Sequence, residues 1–143
     1  MFSKSCEYGI RAVLYLAANS TETKRCGIKP IAEKLEIPSH FLGKILQKLA
    51  REKVVRSVKG PNGGFYTTEE DMSKPMITVV HILDGPQIFT SCAVGLKECS
   101  DEKPCPLHND IKPFRNALMH SLQSKSIKTF AETLENDGTY LVV

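Results

Sequence analysis

Along the first third of the chain, apolar residues recur at helical spacing and are then interrupted by prolines. Between Ser3 and Ala18 the positions Cys6, Ile10, Val13, Leu14 and Ala17 share one helical face, with Ser3 or Ser5 placed to cap its start. Pro30 stands where a proline opens a helix; Ile31, Ala32 and Leu35 form a short apolar face, and Pro38 stops it. Ser39 is a good N-cap, and Leu42, Ile45, Leu46 and Leu49 then repeat through the next helix. Two short helices therefore meet across a turn at Ile37 and Pro38.

The period then changes. Val54, Val55 and Val58 favour a strand, Phe65, Tyr66 and Thr67 favour a second, and Gly60, Pro61, Asn62, Gly63 and Gly64 form a glycine-rich tip between them. A short helix through Ile77, Val80, His81 and Leu83 ends at Asp84 and Gly85. An irregular cysteine-bearing stretch follows from Pro86 to Pro106. Helical spacing resumes at Leu107, Ile111, Phe114, Leu118 and Leu122, in alternating steps of four and three that suit a helix lying along a partner. Pro113 should kink that helix or mark a later start. Ser126 caps a last helix carrying Ile127, Phe130 and Leu134.

Three helices followed by a hairpin is the order of a winged helix-turn-helix. The expected fold is mainly α with a small β hairpin. Residues 1–84 would form the winged unit, 85–106 a cysteine-bearing sensor loop, and 107–143 a long C-terminal dimerisation helix with a final helix behind it.

Composition adds a direction. The 143 residues are 41% hydrophobic, enough for a folded core, and the formal charge of +3 hides an asymmetry. Residues 1–60 hold 12 Lys and Arg against 5 Asp and Glu, whereas residues 61–143 hold 7 against 11. The first part suits a polyanion, although basic residues that merely solvate helix faces would give the same count. The start of the chain lacks an unbroken apolar run and a small-residue cleavage site, so a cytoplasmic protein without membrane contact is expected. No glycine-rich nucleotide loop, paired carboxylates or nucleophile-base motif suggests an enzyme.

On the third helix, the face opposite the leucines presents His40, Gly43, Lys44, Gln47, Lys48 and Arg51, with Ser39 at its start. Donors for base edges stand near the N-terminus and cations for phosphates lie further along. The hairpin offers Lys59, Asn62 and Gly63 at a tip whose glycines permit close approach to a sugar-phosphate rail. A double-stranded DNA ligand is the expectation; a solvated helix and a plain turn are the alternatives.

Tyr8-Gly9-Ile10-Arg11-Ala12, Phe41-Leu42-Gly43-Lys44-Ile45-Leu46 and Val58-Lys59-Gly60-Pro61-Asn62-Gly63-Gly64-Phe65 together resemble the IscR/NsrR/CymR family of bacterial winged-helix regulators. The resemblance spans nearly the whole chain, and the wing is its most specific part. It implies a homodimeric transcriptional regulator, a repressor first, whose long helix at about Leu107 to Gln123 crosses its partner and sets two recognition helices on an imperfect palindrome. It implies base-reading roles for His40 and Lys44 and a minor-groove role for Lys59. Gly43 departs from the iron-sulfur-assembly branch, because it has no side chain with which to discriminate operators.

Five cysteines in a chain without an export signal point away from a disulfide framework. Cys92, Cys99 and Cys105 are separated by six and then five residues, wider than the usual zinc spacing, and His108 follows Cys105 by three. That spacing suits a polynuclear iron-sulfur centre; free thiols are the alternative. The resemblance supports the centre, since cluster-binding members carry three cysteines in this loop. It implies two candidates for a fourth ligand: His108, as in the 2Fe-2S branch and the preferred reading, and Glu7 from the opposite subunit, as in the nitric-oxide-sensing branch that holds 4Fe-4S. Cluster state would set operator affinity. The rival functions are a cluster-free regulator controlled by a protein partner or thiol oxidation, and a redox carrier on the same scaffold. Cys6 reads as a buried apolar residue, Cys26 as an exposed loop thiol, and His81 and His120 as core-edge or surface residues.

Overall fold

The computed structural model describes residues 1–143 and contains seven α-helices, one 3-10 turn and a two-stranded antiparallel hairpin. Helix α1 (Lys4–Asn19) starts at Ser3, whose hydroxyl accepts the Cys6 N–H, and buries Cys6, Gly9, Ala12, Val13 and Leu16. A Cβ at Gly9 would lie 2.2 Å from Leu83 Cδ1, so the glycine in the Tyr8–Ala12 motif sets how closely the later helix around Leu83 packs. Arg11 in the same motif donates to the carbonyls of Leu35 and Leu141, tying α1 to the end of the next helix and to the C-terminal tail.

Helices α2 (Ile28–Leu35) and α3 (Ser39–Arg51) bury Ile31, Leu35, Leu42, Leu46 and Leu49 almost completely. At about 1.5–3 kcal/mol for each fully buried aliphatic side chain, these contacts fix the angle of α3. Two boundaries differ from the sequence reading. Pro30 lies inside the first turn of α2, which starts two residues earlier at Ile28 with Gly27 as its cap, and Ser39 is the first helical residue of α3 with Pro38 at the cap. Proline can occupy any of the opening positions, where N–H groups have no partner within the helix, so it marks the first turn without marking which residue caps it.

The strands β1 (Arg56–Val58) and β2 (Gly64–Tyr66) pair with Ser57 opposite Phe65. Val54 and Val55, expected in the strand, precede it as fully buried core residues in the turn leaving α3. Their β-branched character serves packing there rather than a ladder. The sequence reading missed a further rung: Cys26 and Phe65 exchange backbone hydrogen bonds of 2.9 and 2.8 Å. Cys26 is thus partly buried and anchored to the hairpin, not an exposed loop thiol.

Helix α4 (Glu69–Met72), also unforeseen, opens with a Thr68/Asp71 capping box. The Asp71 side chain is 0% exposed and is held by Arg56 at the base of the hairpin, with Lys74 at 3.6 Å. Helix α5 (Ile77–Asp84) stops at Gly85, where φ is +78°. Beyond the 3-10 turn Pro86–Phe89, helix α6 (His108–Ser124) runs continuously through Pro113, which neither delays its start nor ends it. Pro113 is exposed and leaves the Asn109 carbonyl without its usual helical donor. Helix α7 (Ile127–Asn136), capped by Ser126, turns back onto α1. No helix is long and apolar enough to cross a membrane.

Candidate functional site

The leucines of α3 are buried, and burial of that face turns Ser39, His40, Lys44, Gln47, Lys48 and Arg51 outward, all exposed. Gly43 is the exception on the face expected to be open. It is buried, with its Cβ position 3.4 Å from Ile28 Cδ1, so it belongs to the seam between α2 and α3. The His40 ring leans on Phe41 with centroids 4.3 Å apart, and Phe41 remains half exposed.

The hairpin stands beside this helix. Gln47, Ala50 and Arg51 from α3 and Ser57, Lys59 and Phe65 from the hairpin line one open groove of about 580 Å³, without a single acidic side chain. Both cationic elements therefore face the same space. Within the tip, the Gly63 N–H donates to the Gly60 carbonyl at 2.9 Å, and a Cβ at Gly63 would meet the Val58 carbonyl oxygen at 2.1 Å. Gly60 adopts φ of +106°, a conformation L-residues rarely take. Asn62 is exposed, and its carbonyl accepts a hydrogen bond from Arg25 at 3.3 Å. Arg25, absent from the sequence-derived set, reaches the tip because the Cys26–Phe65 rung brings distant segments side by side, and its partner Asn62 is 37 positions away. Only foreknowledge of that isolated bridge could have revealed it.

The cysteine stretch lies between the 3-10 turn and α6. Cys92 is buried, Cys99 and Cys105 partly so, and His108 is 4% exposed as the first residue of α6. Backbone N–H groups of Val94 and Leu96 beside the Cys92 sulfur hold its thiol below the ordinary range, outweighing burial, and the Cys105 side chain adds to the effect. Cys99 Sγ lies 3.4 Å from His108 Nδ1, and His108 Nε2 lies 2.8 Å from the Asp101 carboxylate, which Lys112 also binds. A carboxylate on the far nitrogen is the arrangement that orients a ligating imidazole. Glu7 pairs with Lys4 on α1, and its carboxylate forms no hydrogen bond or ion pair with the cysteine loop of its own chain. Cys6, fully buried against Asp84, has its thiol pushed up to about 12, first by burial and then by that carboxylate.

No three His, Cys, Asp or Glu side chains close around one point, so the loop is not arranged as a mononuclear metal site. Two features fit a larger anionic centre. Three thiols and an imidazole share one short segment, and the buried Arg115 donates to Cys99 Sγ while its Nε has no partner. A thiolate-bound, sulfide-bridged centre has the softness and negative charge that this donor set and unpartnered cation would accommodate.

Comparison with known proteins agrees with this architecture. The Rrf2 family model, described as an iron-dependent transcriptional regulator, matches residues 2–133. The chain is 38% identical over 131 residues to the HTH-type transcriptional regulator NsrR of Geobacillus kaustophilus (strain HTA426), covering 91% of this chain and 86% of that protein. The structure of CymR, the global cysteine regulator of B. subtilis, superposes with a TM-score of 0.73 at 23% identity, covering 92% of this chain and 96% of that one. T. potens IscR superposes with a TM-score of 0.72 at 19% identity, covering 98% and 92%.

Proposed function

The chain belongs to the Rrf2 family of transcriptional regulators, and from that premise we propose that it binds an operator in double-stranded DNA as a homodimer whose affinity depends on an iron-sulfur centre. The family is one of regulators and not of enzymes. The observation that carries the DNA reading is the acid-free groove shared by α3 and the hairpin. His40 and Lys44 stand near the N-terminus of α3, where side chains reach base edges, and Gln47, Lys48 and Arg51 extend toward the phosphates. Lys59, Asn62 and Gly63 bring a cation and bare backbone to the adjacent minor groove. Dimerisation assigns the second recognition helix to the other half of an imperfect palindrome. It also gives a covering to Leu107 and Phe114 of the α6 segment, which are 46% and 56% exposed in the single chain.

For the centre, Cys92, Cys99 and Cys105 would supply thiolates and His108 the fourth ligand, with 2Fe-2S the preferred type. Glu7 of a partner would take that place in a 4Fe-4S variant. When bound, such a centre supplies sensitivity to oxidation, iron loss or nitric oxide. The residues' part is to convert that change into geometry: Ser91, Cys92 and Cys99 belong to the loop that feeds α6, so rearranging the loop moves the helix that spaces the two reading heads. Switching from almost fully bound to almost fully free takes about 5.5 kcal/mol of differential affinity. Three free thiols in one segment support a second reading, in which reversible thiol oxidation, without iron, moves the same loop.

Selection of duplexes from a random pool by the anaerobically reconstituted protein, with iron and sulfide quantified, tests both parts. Enrichment of a palindrome and near-stoichiometric iron are expected. No enriched sequence would overturn the DNA reading. A colourless protein that still responds to oxidant, with the response abolished in a C92S/C99S/C105S variant, would replace the cluster by the thiol switch.

A further inference from the structure

Arg115 of α6 is the only Lys or Arg side chain in the buried set, at 8% exposure. A guanidinium stays protonated at any physiological pH, and a charge taken out of water needs an anionic partner in contact. None of the six ion pairs of the fold includes Arg115. Its contacts are instead with the cysteine loop: Nη1 donates to the Ser91 carbonyl, Nη2 donates to Cys99 Sγ at 3.1 Å, and the buried Nε donates to nothing. The cation is thus buried against the Cys99 thiol, next to the Cys99–His108 pair, with one donor unused.

We propose that Arg115 is the built-in counter-cation of the thiolate centre, a positioning residue that holds Cys99 and its loop and offsets the negative charge that iron and sulfide bring. This inference rests on the iron-sulfur reading above. The two guanidinium donors bridge Cys99 Sγ and the Ser91 carbonyl, so the loop approaches the centre already shaped. N–H···S hydrogen bonding and a nearby positive charge favour the reduced form, which carries one more electron, and therefore raise the reduction potential. Lysine keeps the charge without the planar fork; glutamine keeps a donor without the charge.

The test uses the full chain, reconstituted anaerobically with iron and sulfide, as wild type, R115K, R115Q and R115M. Three readouts are taken: iron released to a chelator over time, reduction potential by spectroelectrochemistry, and thermal unfolding of the metal-free proteins. Expected are at least tenfold faster iron loss and a lower potential in R115M, a lower potential in R115Q, and partial recovery of both properties in R115K. Wild-type retention and potential in R115M overturn the inference and leave the cluster reading standing. If R115M does not fold, R115Q decides, and wild-type values there overturn it equally. A wild-type protein that takes up no iron overturns both.

Discussion

Removing the cation at the hairpin tip, Lys59→Ala, should change how operator binding responds to salt by an amount the structure sets in advance. Lys44, Lys48 and Arg51 on α3, Lys59 on the hairpin and Arg25 beside its tip are candidate phosphate contacts, and none of them is engaged in the six intramolecular ion pairs. Each is free to displace a counterion from a phosphate, and a dimer doubles the set. With about 0.9 of slope for each neutralised phosphate, log K against log salt has a ceiling near −9. Lys59→Ala removes two contacts per dimer and should flatten the slope by about 1.8. Between roughly 50 and 200 mM salt, the wild type would lose up to about 10⁵ in affinity and the variant about tenfold less. Fluorescence anisotropy of a labelled operator across a salt series measures this directly. Lys128→Ala, whose cation Glu69 already neutralises at 3.1 Å, is the control with an unchanged slope. A Lys59→Ala slope within about 0.5 of wild type would refute the placement of that cation on the duplex.

Three further outcomes are expected. Gly63→Ala drives a methyl into the Val58 carbonyl, so it should abolish tight operator binding by deforming the tip while the melting temperature of the core changes little; wild-type affinity would show that the turn tolerates a side chain. Burial pushes the Asp71 carboxyl up, but hydrogen bonds from Arg56 and Thr68 outweigh it and hold it below the ordinary 3.8, so its stabilisation is present above that value and fades as pH falls through the lowered one. Asp71→Asn should therefore cost about 2–3 kcal/mol at neutral pH, discounted because Arg56 is 38% exposed, and the gap from wild type should close in acid; a gap independent of pH in urea unfolding would contradict this. In the metal-free native protein, Cys92 should be alkylated by iodoacetamide long before Cys6, whose thiol is pushed up to about 12 by burial and Asp84; equal rates by peptide mass mapping would refute the assignment.

The helices and hairpin were legible in the chain because their signals are local. Leucines at Leu42, Leu46 and Leu49 can share a buried face only on a helix, and the glycines from Gly60 to Gly64 can join two short β-rich runs only as a turn. Charge was legible too, since burying one face of α3 leaves Lys44, Gln47 and Lys48 nowhere to go but outward. The sequence likewise placed three cysteines in one segment with His108 behind them.

What tertiary structure decided were the pairings between residues distant in sequence, where no periodicity operates. The Cys26–Phe65 rung carries Arg25 to the hairpin tip, and nothing between the two segments encodes that meeting. Gly43 lies on the polar side by helical arithmetic, yet the crossing of α2 puts Ile28 against it. Arg115 looks like any charged residue on a surface helix until the loop folds over it and sets its cation against the Cys99 thiol. Periodicity says which face of an element avoids water; only the assembled fold says which neighbour covers that face, and here those neighbours make the chemistry.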